Sequence, residues 1–169
     1  MELRLPTEGD KRDVLAYRQE FLDNGDSMDG TAMLATAESY EAWLAAVRRN
    51  AREETVAPGL VPATTCLAYA NGRLVGMIDL RHRLNAHLAA VGGHIGYSVR
   101  KSERRKGYAS EMLKETLPKA WALGLERVLI TCDSRNEASR RTILHNGGVL
   151  ENQVPDEGRI TQRYWISKP

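Results

Sequence analysis

Only two cysteines, Cys66 and Cys132, occur in the 169 residues. Both sit in apolar runs, TTCLAYA and RVLITCD, and there is no CxxC. A disulfide scaffold or a cysteine-based zinc site is therefore not expected, and buried, reduced thiols are. No apolar run approaches the ~20 residues that cross a bilayer, so no membrane partner is expected. The opening MELRLPTEGDKRD is polar and charged, unlike a signal peptide, and a reducing, cytoplasmic setting is the expectation. Metal spacing is missing as well. There is no HExxH, and His82 and His87, five apart in RHRLNAH, match no zinc motif, so no metal is expected. No GxxxxGK occurs, and Gly92-Gly93-His94-Ile95-Gly96 is not GxGxxG, which excludes the two commonest nucleotide fingerprints. A net charge of +2 is too small to make nucleic acid an expected partner.

What remains is an ordinary globular composition, 42% hydrophobic and 27% charged, in a chain of one-domain length, residues 1–169. There are no repeats. Residues 2–6 read as a short strand. Helical spacing follows from about Glu8 to Leu22, capped by Thr7, and again from about Ser39 through Trp43, Leu44 and Val47. Asn71-Gly72 between the apolar runs 64–70 and 74–84 is a hairpin signal, because a type I′ turn needs positive φ at both positions. A loop through His87 and Gly93 leads to a strand at His94–Arg100. A helix through Met112 and Leu113 stops at Gly124, with Pro118 expected to kink or divide it. A strand at Arg127–Cys132, a helix from Asn136 to about His145, and strands near Val149–Val154 and Arg159–Ile166 complete the chain. The fold class is mixed α/β (α+β): a mostly antiparallel twisted sheet with helices on both faces and one βαβ crossover in the middle.

The stretch VRKSERRKGYASEML, Val99 to Leu113, stands out. It places Arg100, Lys101, Arg104, Arg105 and Lys106 just before an apolar helical pattern. Such a turn is either a solvated surface loop or a socket for an anion. The physics of a socket is present. The first N–H groups of a helix lack partners within it and carry the positive end of its dipole. Gly107 lets an anion approach the backbone, and Ala109 is nearly as permissive. The arginines and lysines add charge-assisted bonds.

The segment Arg104-Arg105-Lys106-Gly107-Tyr108-Ala109 resembles the cofactor motif Arg/Gln-x-x-Gly-x-Gly/Ala of the GCN5-related N-acetyltransferase (GNAT) family. ITCDSRNEASRRTILHNGGVL resembles that family's second cofactor motif, with Asn136 and Ser139 at the helix start. The likeness covers about residues 64–151, and GGHIGYSVR is similar to a strand of bacterial predicted acetyltransferases. It implies a GNAT-like fold with acetyl-CoA as co-substrate. Arg104, Arg105, Lys106, Gly107, Tyr108 and Ala109 would hold the pyrophosphate. The strand carrying Tyr97, Ser98 and Val99 would hold the pantetheine arm and thioester, with Asn136 and Ser139 beside them. The implied partner is a small-molecule or peptide amine, and a homodimer is a family-level expectation.

The implied chemistry needs proximity, deprotonation of the amine, stabilisation of the carbonyl oxygen and protonation of the departing thiolate. The Val99 N–H is the candidate for the carbonyl oxygen. Many family members place a tyrosine acid seven residues after the helix-start asparagine, but here that position is Ile143, and His145 lies about 200° around the helix. Tyr97 and Tyr164 are the candidate phenols. The strand positions in phase with Val99 are Tyr97, Ile95 and Gly93, none of them an evident base; His94 has the opposite parity and a structural role. His82 has a suitable intrinsic pKa, and with Asp79 and Arg81 it either lines an acceptor pocket or ends a solvated strand. Asn136 and Ser139 are also ordinary capping residues. The loop DNGDSMDG, with Asp23, Asp26 and Asp29, would cover the acceptor. The competing functions are a non-catalytic acyl-CoA-binding or sensing module, which would explain the missing tyrosine, and polyanion binding through 100–106.

Overall fold

The computed structural model describes residues 1–169. The chain runs β1 (Glu2–Arg4), α1 (Lys11–Asn24), α2 (Tyr40–Arg49), β2 (Ala63–Ala70), β3 (Arg73–Arg81), β4 (Ile95–Val99), α3 (Tyr108–Ala122), β5 (Arg127–Asp133), α4 (Glu137–His145), β6 (Val149–Asp156) and β7 (Arg159–Ser167). Short 3-10 turns lie at Glu8–Asp10, Leu34–Thr36 and Lys101–Glu103. A π-helical turn, Leu88–Gly92, occupies the connection read as loop.

The alternation of strand side chains sorts the core into two layers. Val14, Tyr17 and Phe21 of α1 and Trp43, Leu44 and Val47 of α2 pack on one face, against Leu67, Leu74 and Met77. Met112, Leu113 and Ala120 of α3 and Ile143 of α4 pack on the other, against Ile78, Ile95, Val128 and Ile130. Helices therefore cover both faces. The hairpin between β2 and β3 turns at Asn71 (φ 50°) and Gly72 (φ 73°), both positive as a type I′ turn requires.

Every strand pairing is antiparallel, but the sheet is divided into two, ordered β1-β2-β3-β4 and β5-β7-β6. Helix α3 carries the chain from the edge of the first to the edge of the second. The edges meet at one pin. The His94 N–H donates to the Leu129 carbonyl at 2.7 Å, and the Leu129 N–H donates to His94 Nδ1 at 2.9 Å. Gly93 makes this approach possible: its φ is +69°, and a Cβ there would lie 2.7 Å from the Leu129 carbonyl oxygen. Beyond the pin, β4 and β5 part.

Pro118 does not divide α3, which runs from Tyr108 to Ala122 through it. Both Pro118 and Lys114, whose carbonyl loses its intrahelical donor, are exposed, so water can satisfy that carbonyl.

Candidate active site

A cleft of about 1130 Å³ opens where β4 and β5 diverge. Its walls are β4, the start of α3, the start of α4, the loop after α1 and the β6–β7 hairpin.

The start of α3 presents a row of unpartnered donors. None of the six backbone N–H groups from Arg105 to Ser110 donates to an acceptor in the protein. Gly107, at the N-cap, has φ +85°, and a Cβ there would meet no protein atom within 4 Å. Glycine at this position thus serves the backbone conformation and leaves open space above the amides. Arg105 also adopts positive φ, 65°, with an exposed side chain. Arg104 donates through Nε to the Val99 carbonyl at 2.9 Å and through Nη2 to Asp26 at 2.9 Å, so it links the loop after α1 to the socket. Lys106 does not line the cleft and pairs with Glu103 at its margin, 2.7 Å from the carboxylate.

The socket is braced from behind. Arg100 is buried and pairs with Glu20 at 2.6 Å, while the other Glu20 oxygen accepts from the Ser102 N–H at 2.8 Å. Arg73 joins Glu103 at 3.0 Å. Arg100 is thus a structural cation, and Lys101 bonds Asn24 on the surface at 3.0 Å.

Strand β4 supplies the next wall. Its hydrogen bonds to β3 fall on even-numbered residues: the Arg81 N–H donates to the His94 carbonyl and the Arg100 N–H to the Val75 carbonyl, in one continuous register. By antiparallel alternation, the N–H groups of Tyr97 and Val99 point away from β3, toward the gap. These are unpaired strand donors facing the cleft. The Tyr97 hydroxyl crosses the gap to Ser139 Oγ on α4, 2.9 Å away. Burial pushes the Tyr97 phenol well above its ordinary pKa, so it stays protonated at neutral pH. Asn136 caps α4 by accepting from the Ser139 N–H at 3.1 Å, and both residues line the cleft.

Arg104, Arg105, Gly107, Tyr108, Ala109, Tyr97, Ser98, Val99, Asn136 and Ser139 are thus gathered on one cleft. His82 and Tyr164 do not line it. His82 sits past the end of β3 with Nε2 2.8 Å from Thr64 Oγ1, and burial lowers its pKa. Tyr164 lies in the core under α3 and α4 and donates to Gln162 at 2.8 Å. Ile143 is fully buried in the same core. Of the acidic loop, Asp26 and Asp29 reach the cleft, whereas Asp23 accepts from Gln19 at 2.7 Å on the surface. No cluster of three or more His, Cys, Asp or Glu side chains could hold a metal ion. No helix is long and apolar enough to cross a membrane.

Other cleft residues had no individual role assigned from the sequence: Gly30, Gly96, Thr131, Thr142, Asp156 and Thr161. Gly96 had one available signal, since glycine inside a strand marks the close approach of another backbone. That backbone is Gly30, whose Cβ, if present, would fall 2.1 Å from the Gly96 carbonyl oxygen.

The family model for the acetyltransferase (GNAT) domain matches residues 1–149, and the chain belongs to that family. No curated protein matches the sequence. Among solved structures, Mycobacterium smegmatis RimJ in complex with CoA-disulfide is 20% identical, with a TM-score of 0.71 over 98% of this chain and 80% of that one. The protein yncA of Salmonella typhimurium, solved with its cofactor acetyl-CoA, is 15% identical, with a TM-score of 0.66 over 98% and 92%. A point mutant of the spermidine N-acetyltransferase SpeG of Vibrio cholerae is also 15% identical, with a TM-score of 0.68 over 99% and 95%. At these identities the likeness establishes the fold.

Proposed function

We propose that the protein transfers the acetyl group of acetyl-CoA to a primary amine of a small molecule or peptide by direct attack. The observation that carries this reading is the run of unpartnered N–H groups from Arg105 to Ser110, opening onto a cleft that continues along the unpaired edge of β4. A pyrophosphate matches the first feature in charge and acceptor count. An extended amide-containing arm matches the second, because the free N–H groups of β4 can bond it as a further strand would.

In this arrangement the amine nitrogen attacks the thioester carbon, a C–N bond forms and the C–S bond breaks. The Tyr97 and Val99 N–H groups face the gap where the carbonyl oxygen takes up charge. The attacking nitrogen gives up a proton and the thiolate gains one. Tyr97, protonated and bonded to Ser139, is the phenol we assign to donate to the sulfur, and it regains its proton from solvent. His82 and Tyr164, outside the cleft, receive no role, and water takes the proton of the amine.

One observation favours a second reading, a non-catalytic acyl-CoA-binding module: the position of the usual acid is a core isoleucine, Ile143. Release of CoA thiol with a panel of primary amines separates the two. Amine-dependent release is expected. Acetyl-CoA binding with no amine-dependent release on any acceptor would favour the second.

A further inference from the structure

The face of β4 turned toward α1 carries a feature that cofactor binding does not use. Asp79 on β3 and Gly96 on β4 are cross-strand partners on that face, and Arg81 follows Asp79 by one alternation. Two nitrogens of the Arg81 guanidinium face the protein. Its Nη1 donates to the carbonyls of Gly92 at 3.0 Å and Gly93 at 3.1 Å, and its Nε lies 3.6 Å from Asp79. The remaining nitrogen, Nη2, has no partner, and the residue lines the cleft.

A second free donor lies beside it. Gly30 is buried and lines the cleft, yet its N–H donates to nothing in the protein. Both donors converge on Gly96: a Cβ built there would lie 3.2 Å from the Gly30 nitrogen and 3.5 Å from Arg81 Nη2. Only the absence of a side chain at residue 96 keeps this niche open. The loop bearing Gly30 is fixed by Trp43, whose Nε1 donates to the Thr31 carbonyl at 2.8 Å, and by Ser98, whose Oγ donates to the Asp29 carbonyl at 2.7 Å. A guanidinium held at Nη1, with Nε beside a carboxylate, presents Nη2 in a fixed orientation, which suits an oxyanion. The niche adjoins the centre of β4, next to the Tyr97 amide.

We propose that Arg81 Nη2 and the Gly30 N–H bind an anionic group that the acceptor carries next to its amine. The acceptor class is then an amino-acid-like or phosphorylated amine, not a simple alkylamine or polyamine. This rests on the acetyl-transfer reading above.

The test uses paired acceptors that differ only in the anion: amino acids against their decarboxylated amines, and phosphoethanolamine against ethanolamine. The two sets distinguish carboxylate from phosphate. The wild-type protein is expected to prefer the anionic member of at least one set by about tenfold or more in kcat/KM, the scale of a charge-assisted contact. Arg81→Gln removes the charge and the Nη2 donor, and should collapse that preference through KM. Gly96→Ala narrows the niche and should raise KM for the anionic member. The ratio within one variant cancels any general loss of folded enzyme, which a purely structural Arg81 would cause. Equal use of both members by the wild type, or an unchanged ratio in Arg81→Gln, overturns the niche. A thermal shift with acetyl-CoA is recorded alongside. A shift with transfer but without anion preference overturns the niche alone, whereas no shift, or a shift without transfer to any amine, overturns the transfer reading and the niche together.

Discussion

Replacing His94 by asparagine isolates the pin between the two sheets. His94 is 4% exposed, and its Nδ1 accepts the Leu129 N–H, which fixes the neutral ring with its proton on Nε2. Burial, with Arg81 nearby, pushes its pKa down from 6.5 to about 4. The sign follows from linkage. The unfolded chain takes up a proton near pH 6.5 while the folded protein resists, so the contribution is full above that pH and is lost as pH falls toward the folded value. At ~1.4 kcal/mol per pH unit, about 2.5 kcal/mol disappears between about pH 7 and about pH 4.5. Asparagine places Oδ1 where Nδ1 stood and does not titrate. At neutral pH the variant should be less stable, by roughly 1–2 kcal/mol, because the ring also packs edge-on against Trp165 at 6.4 Å between centroids. Urea unfolding of both proteins across this range is the assay. The gap should shrink and then reverse on acidification, since carboxylate effects common to both proteins cancel. A gap independent of pH would refute the assignment of a neutral, accepting His94.

Tyr97→Phe removes the phenol held by Ser139, so kcat should fall by about tenfold or more while acetyl-CoA affinity changes little; single-turnover kinetics and a binding titration separate these. Ile143→Tyr puts a phenol at the family's usual acid position, but that site is fully buried and Gly148 packs against it, with a built Cβ 2.3 Å from Ile143 Cγ2. Overpacking should cost about 2 kcal/mol in urea unfolding with no gain in kcat.

Much of the scaffold was legible because it depends on local chemistry. Asn71-Gly72 specified its turn, and Met112 and Leu113 fell on the buried face of α3 as the spacing required. The socket was legible for the same reason: consecutive amides at a helix start need no distant partner. The division of the sheet was not. Alternation gives each strand two faces but does not say which edges pair, and the separation depends on Gly93 and His94 meeting Leu129, thirty-five residues away for His94. Arg104 and Lys106 looked alike in the sequence, yet Asp26 draws one across the cleft mouth and Glu103 pairs with the other at its margin. The niche at Gly96 was hidden because it depends on a loop from the other end of the chain, and Tyr164 was misleading because a phenol's address is set by sheet register, which placed it in the core.

Thermal unfolding with and without acetyl-CoA tests the central claim most directly. At a hundredfold excess over the dissociation constant, native-state binding adds about 2.7 kcal/mol, which raises Tm by several degrees in a protein of this size. Gly107→Glu places a carboxylate and a side chain in the open space above the amides, where no protein atom lies within 4 Å of a built Cβ. A socket for the cofactor's pyrophosphate predicts a shift for the wild type and none for Gly107→Glu. No wild-type shift at millimolar acetyl-CoA, or an undiminished shift in the variant, would contradict it.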